Sequence, residues 1–314
     1  MRKIAIYSGS RADYCPLSSV LKLLDNKADV KHIKTAGLFD HEAHIKFWLE
    51  EFKPDLVVLL GDRYESLVAA SVAALLTIPI VHIHGGEETT GAVDNAFRHA
   101  ITKLSYYHFA MHEDFAARII KMGEHPERVF VTGAPGIDQY ANEGLTREQL
   151  EKQLDFRLIP PFALVCYHPE TLGSDDLNMQ KIHQLMEEYL TVVVTGANQD
   201  IGGDAINRTW QADNANIYYR PTFSPEIWTS LMRHADVLIG NSSCFIIDGF
   251  TLGKKVIIIG DRQKGRYEDA LRHFADNPKA YGEIGNVSLR IVELLLTLPI
   301  PEKPRKEWYD YTPN

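Results

Sequence analysis

Leu56-Val57-Val58-Leu59-Leu60-Gly61-Asp62-Arg63 sets five aliphatic residues directly against a glycine and two charged side chains. A run this short, unbroken and rich in branched side chains reads as a strand buried on both faces, since a half-exposed strand would alternate and a helix would need more length. A strand ending in Gly-Asp-Arg also delivers polar groups to one sheet edge. The same pattern recurs at 3–7, 30–35, 80–84, 107–111 and 129–131, each run separated from the next by a helical pattern. It restarts at 162–167, 192–195, 217–219, 237–240 and 255–259. Strands alternating with helices build a parallel sheet covered on both faces, and two series build two sheets. The expected fold class is α/β, with two Rossmann-like doubly wound domains facing a cleft.

A polar helical stretch at 146–153, closed by Pro160-Pro161, separates the two series. Proline halts a helix and stiffens a connection, so the boundary is expected near Ile159. This gives domains 1–158 and 159–314, with the last helix packing back on the first, and two cores suit 314 residues better than one. Ser224-Pro225-Glu226 reads as a helix start and Gly253 as a helix end. The net charge of −9 argues against a nucleic-acid partner, whose phosphates call for clustered Lys and Arg. Three widely spaced cysteines, Cys15, Cys166 and Cys244, suit neither a disulfide framework nor a thiolate zinc site. The N-terminal apolar run is too short for a signal peptide and no later run reaches membrane-spanning length, so a cytoplasmic protein without a membrane partner is expected.

In open parallel sheets ligands bind beyond the carboxyl ends of the strands. Polar loops follow predicted strands at Ser8-Gly9-Ser10-Arg11, Gly61-Asp62-Arg63, His84-Gly85-Gly86-Glu87, His168-Pro169-Glu170-Thr171, Gly196-Ala197-Asn198, Gly240-Asn241-Ser242-Ser243 and Gly260-Asp261-Arg262. Gly240-Asn241-Ser242-Ser243 ends a strand and opens a helix, offering backbone N–H groups, hydroxyls and a positive dipole end to an anion such as a diphosphate. The bland alternative is a capped turn; Arg262 and Arg266 on the next loop favour the anion reading. Asp62 at its sheet edge suits a general base, against a plain role as N-cap of the following helix. His82, His84, Glu87, Glu88, Asp94, Arg98 and His99 crowd titratable groups behind one strand, which favours function over packing. His82 and His84 alternate along a strand and so share a face, which raises a metal reading that no HExxH or thiolate pattern supports; no metal is expected. His168, beside Glu170, is either a hydrogen-bonded structural residue or an acid or diphosphate ligand.

These motifs, together with Gly9-Ser10-Arg11-Ala12-Asp13-Tyr14, Arg98-His99-Ala100-Ile101-Thr102-Lys103 and Gly260-Asp261-Arg262-Gln263-Lys264-Gly265-Arg266, resemble in order and type the hydrolysing UDP-N-acetylglucosamine 2-epimerases. The resemblance runs through most of the chain, as far as Lys306-Glu307-Trp308-Tyr309-Asp310, so a compact member of the family is expected. It implies a fold like the GT-B glycosyltransferases, UDP held mainly by the second domain and the sugar facing the first. It also implies cofactor-free and metal-free chemistry: loss of the C2 proton, anti elimination of UDP, and hydration of the resulting glycal with inversion at C2. Carried over by position, Asp62 and Asp94 are acid/base carboxylates, His168 supports the diphosphate, Ser242 and Ser243 bind phosphate, and Arg11 and Arg262 line the nucleotide site. Asp13, Arg63, Arg98, Asn198 and Arg266 are counted among the substrate-binding residues. Where some family members carry a catalytic glutamate this chain has His84, leaving the proton work to His84 or to Glu87. Asp248 stands where a glutamate commonly holds the ribose hydroxyls. Relatives also carry roughly 50 further residues between the segments matching 37 and 53, enough for whole helices. The expected partner is a UDP-2-acetamido sugar, and the expected assembly a homodimer or homotetramer. A glycosyltransferase and a non-catalytic nucleotide-sugar-binding protein are the alternatives.

Overall fold

Every aliphatic run read as a strand is one. The computed structural model describes residues 1–35, 40–210 and 216–312, apart from the side chains of Arg11 and Ala12. The chain divides into two compact units, the first formed by Met1–Glu87, Asp94–Ala141 and Tyr281–Asn314, the second by Glu88–Val93 and Asn142–Ala280.

The first unit holds β1 (Lys3–Ser8), α1 (Arg11–Leu24), β2 (Asp29–Lys34), α2 (His41–Phe52), β3 (Leu56–Leu60), α3 (Tyr64–Leu75), β4 (Ile80–Ile83), α4 (Asp94–Leu104), β5 (Tyr107–Ala110), α5 (Glu113–Lys121) and β6 (Val129–Val131). The six strands pair in parallel in the order β2-β1-β3-β4-β5-β6. All of β3 is buried, as its unbroken aliphatic run requires, and Val57 and Leu59 face a core that includes Ile45 and Leu49 of α2 and Ala69, Ala70 and Ala73 of α3. Among the described residues, α2 occupies the stretch where relatives are expected to be longer; residues 36–39 lie outside them.

The second unit holds α6 (Arg147–Leu154), β7 (Phe162–Cys166), α7 (Asp176–Met186), β8 (Thr191–Thr195), α8 (Gly203–Thr209), β9 (Ile217–Arg220), α9 (Pro225–His234), β10 (Val237–Gly240), α10 (Ser243–Thr251), β11 (Lys255–Ile258) and α11 (Arg266–Asp276). Its five strands run parallel in the order β11-β10-β7-β8-β9. Ser224 caps α9 by accepting the Ile227 N–H at 3.3 Å, and Gly253, at φ +65°, follows α10. The crossing between units falls at Ala141–Asn142, ahead of the expected Ile159. The intervening residues go with the second unit because the Leu145 N–H donates to Ser230 Oγ at 2.9 Å, while His234 Nε2 lies 2.9 Å from the Leu145 carbonyl. The chain returns at Tyr281, and α12 (Val287–Thr297) belongs to the first unit, where Arg2 donates to the Leu295 carbonyl at 2.6 Å.

Candidate active site

Each sheet has one point where neighbouring strands are reached by connections leaving in opposite directions, and the crevice there is where open α/β sheets bind ligands. In the first unit that point lies between β1 and β3. The loop leaving β1 runs against the first turn of α3, which follows the 61–63 loop: a β-carbon on Gly9 would lie 2.7 Å from Glu65 Cβ. Asp13, one turn into α1, folds back to accept the N–H groups of Gly9 at 3.1 Å and Ser10 at 2.9 Å. Burial pushes the Asp13 carboxyl up to about 6, against the pull of Arg63 and Ser10. Asp13 therefore shapes the loop before α1. Arg63 bonds Glu65 at 3.3 Å.

Asp62 is not the helix cap; Arg63 occupies that position. Its carboxylate accepts the guanidinium of Arg98, which is fully buried while Asp62 keeps 22% of its side-chain surface exposed. Arg98 also donates to Asn95 Oδ1 at 3.0 Å and to the Glu87 carbonyl at 2.9 Å, so it joins α4, the Gly61-Asp62 loop and the turn after β4. Asp94 begins α4 one turn before Arg98, half-buried.

The shared face predicted for His82 and His84 does not survive the end of the strand. His82, wholly buried in β4, uses both ring nitrogens inside the protein, Nε2 with the Gly61 carbonyl at 2.8 Å and Nδ1 with Thr102 Oγ1 at 3.2 Å. A carbonyl only accepts, so Nε2 carries the proton. Burial lowers this imidazole to about 3 and keeps it neutral. His82 holds the loop that carries Asp62. His84 lies past the strand at φ +67°, a left-handed conformation that is uncommon outside glycine and breaks the alternation. Its Nδ1 lies 3.0 Å from Glu87 Oε1, and both side chains are buried. Gly86, at φ +80°, makes this close turn: a β-carbon there would sit 2.3 Å from the Phe115 carbonyl oxygen.

In the second unit the corresponding point lies between β7 and β10. Asn241 bridges the two strands' exits, accepting the His168 N–H at 2.7 Å and donating to the His168 carbonyl at 2.8 Å. This pairing requires Gly240, at φ +143°, because a β-carbon there would lie 2.0 Å from the Cys166 carbonyl oxygen. The half-buried His168 receives the Asn198 N–H at Nδ1, 3.1 Å away. An N–H only donates, so a neutral His168 carries its proton on Nε2, which lies 3.5 Å from Cys166 Sγ.

Asn198 also donates to Asp200 at 2.7 Å, and Asp200 in turn accepts Arg262 at 2.8 Å. Arg262 is buried and donates to the Pro169 carbonyl as well, while Arg266 bonds Gln263 at 2.6 Å. Ser242 precedes α10 with its hydroxyl 3.0 Å from Cys244 Sγ; Ser243 opens the helix, and Asp248 is buried further along it. The Arg11 side chain lies outside the described residues.

Sequence reasoning missed three of these groups. His82 was grouped with His84 by spacing, although a histidine inside an aliphatic run is the usual mark of an internally bonded ring. Asn241 was read with its serines as an anion loop, and its inter-strand role depends on which strands adjoin. Glu170 accepts from the Arg262 N–H at 3.3 Å and from Asn241 at 3.5 Å, and burial raises its carboxyl.

Residues 20–286 match the UDP-N-acetylglucosamine 2-epimerase family. The chain belongs to it. A Legionella pneumophila protein, UDP-N,N'-diacetylbacillosamine 2-epimerase (hydrolyzing), is 30% identical across 96% of this chain and 97% of that protein. A Campylobacter jejuni GDP/UDP-N,N'-diacetylbacillosamine 2-epimerase (hydrolyzing) is 38% identical over 69% of this chain, which spans 59% of that relative's length. Among solved structures, the Neisseria meningitidis UDP-GlcNAc 2-epimerase bound to UDP-GlcNAc shares the fold, with a TM-score of 0.74 at 19% identity over 94% of this chain and 100% of that one.

Proposed function

We propose that this chain is a hydrolysing 2-epimerase that converts a UDP-2-acetamido sugar, UDP-N-acetylglucosamine or its 2,4-diacetamido-6-deoxy relative, into UDP and the free C2 epimer. The observation that carries this reading is the Asp62–Arg98 pair: a partly exposed carboxylate at the sheet's switch point, oriented by a fully buried guanidinium and set on a loop clamped by His82. Such a group can move a proton at C2. Asp94, His84 and Glu87 supply further proton-handling groups near it in the chain's fold.

In the first step the C2–H bond breaks, its electrons form the C1=C2 bond of a glycal, and UDP leaves C1 with the bonding pair. His168, with its proton on Nε2, suits the departing diphosphate, as do Ser242, Ser243 and the positive end of α10. Water then adds its oxygen to C1 and a proton returns to C2 on the opposite face. Asn198, Arg262 and Arg266 shape the diphosphate loops, and Asp248 is assigned to the ribose. Both substrate candidates come from the relatives' names and from the family's chemistry.

The test is incubation of the protein with each UDP-sugar in heavy water, following UDP release and the deuterium content of the product. Release of UDP with one deuterium at C2 is expected. Transfer of the sugar to an acceptor with the C2 proton retained would replace this reading with a glycosyltransferase.

A further inference from the structure

The turn 84–87 presents two titratable side chains where one carboxylate would suffice, and its geometry gives them different tasks. The His84 N–H is spent on the Phe109 carbonyl at 3.1 Å, which locks the residue to β5 just as its backbone enters the left-handed region. Gly85 passes flush against His82 and Thr102, where a β-carbon would lie 3.0 Å from His82 Nδ1 and 3.1 Å from Thr102 Oγ1. Gly86 then reverses the chain against α5, and Glu87 returns with Oε1 3.0 Å from His84 Nδ1. Arg98 fixes this return by donating to the Glu87 carbonyl, and the same guanidinium orients Asp62.

His84 Nε2 is buried without a hydrogen-bond partner among the described residues, whereas both nitrogens of His82 are satisfied. A buried polar atom left open on a residue in a strained backbone conformation marks a place where structure has been given up for function.

We propose that His84 Nε2 is the atom that accepts the C2 proton and that Glu87 is a positioning residue, whose negative charge 3.0 Å from Nδ1 favours the proton there and leaves the Nε2 lone pair free. The proposal rests on the epimerase reading above. The C2–H electrons become the glycal double bond, the proton moves to Nε2 to give an imidazolium stabilised by the Glu87 carboxylate, and UDP carries away the C1–O pair. A protonated Asp62 or Asp94 gives its proton to C2 from the other face, and the water that adds its oxygen at C1 keeps one hydrogen and returns the other to that carboxylate. The arrangement follows the logic by which a buried carboxylate sets the tautomer of a catalytic imidazole.

Two measurements test it. In the free protein, long-range nitrogen–proton NMR of the histidine rings should show neutral His84 protonated on Nδ1, opposite to His168 and His82, and Glu87→Gln should weaken that preference. Finding the proton on Nε2 of wild-type His84 would overturn the proposal whatever the substrate. In turnover, His84→Asn, which suits the left-handed backbone, should reduce C2 exchange and UDP release together by at least about 100-fold. Glu87→Gln should lower kcat by about 10- to 100-fold with little change in KM. A His84→Asn variant that still exchanges C2, beside a Glu87→Gln variant that does not, would make Glu87 the base. Wild-type protein that releases UDP from neither sugar would overturn the epimerase reading and the acceptor role with it, leaving the tautomer result standing.

Discussion

At the scale of single residues, the first unit sets several titratable side chains within a short stretch of backbone and gives each a different state. Asp62 is partly exposed and held by a buried guanidinium, so its replacement removes both a proton carrier and the partner of Arg98. Asp62→Asn is expected to lower UDP release by roughly 100-fold or more, measured with the better of the two UDP-sugars. A near wild-type rate would remove Asp62 from the mechanism. Asp13 behaves oppositely, since its carboxyl is raised to about 6 by burial and its work is to shape a loop. A raised folded-state value means that the native protein binds more protons, so the Asp13 contribution is fully present below about pH 4 and is lost as pH rises through about 6. The difference in urea midpoint between wild type and Asp13→Asn should therefore change across pH 4 to 6 and be flat above it. Flat behaviour throughout would place the carboxyl at its ordinary value.

At the scale of elements, the join of β10 to α10 depends on one glycine, because Asn241 can pair with His168 only if the backbone at Gly240 passes close to the Cys166 carbonyl. Gly240→Ala is expected to cost about 2 kcal/mol or more, through the positive φ and the lost approach, read as a lower unfolding midpoint. UDP affinity should fall with it, as the same residues set the N-terminus of α10. A variant of unchanged stability would show that the strands can part at no cost. These elements were legible because their signals are local. The aliphatic runs marked the strands, and Ser224 and Gly253 marked the limits of helices. Asn241 was not legible as a clasp, because its partner His168 is far away in sequence and adjacent only through the order of the strands.

At the scale of the molecule, the two compact units are expected to respond to different perturbations. UDP at about 100 times its Kd should stabilise the second unit by about 2.7 kcal/mol and leave a first-unit transition unmoved, seen by hydrogen exchange or calorimetry. Equal protection of both units would show that they unfold as one. The first unit has its own anchor in Glu124, which accepts Lys103 at 2.6 Å and His108 at 3.1 Å and pairs with Lys306 at 2.7 Å. Burial alone would raise this carboxyl, yet the bonds from His108, Lys103 and Lys306 hold it down at about 2. A depressed value contributes stability above the usual carboxylate range that disappears as pH falls toward 2. Lys306→Met should reduce the stability of the first unit at neutral pH and shrink that acid dependence, both read from midpoints at a series of pH values.

The sequence by itself determined the strands, the division into two α/β series and the family, because each depends on periodicity, on turn residues or on ordered motifs that persist along the chain. It left His84 and Glu87 as equals and joined His82 to His84 by spacing. Only the tertiary structure separated them: β4 ends between the two histidines, Gly61 and Thr102 approach His82 from distant parts of the chain, and Gly86 turns Glu87 back onto His84. Proton placement follows from hydrogen-bond partners, and those partners are neighbours in space whose identity the order of residues does not reveal.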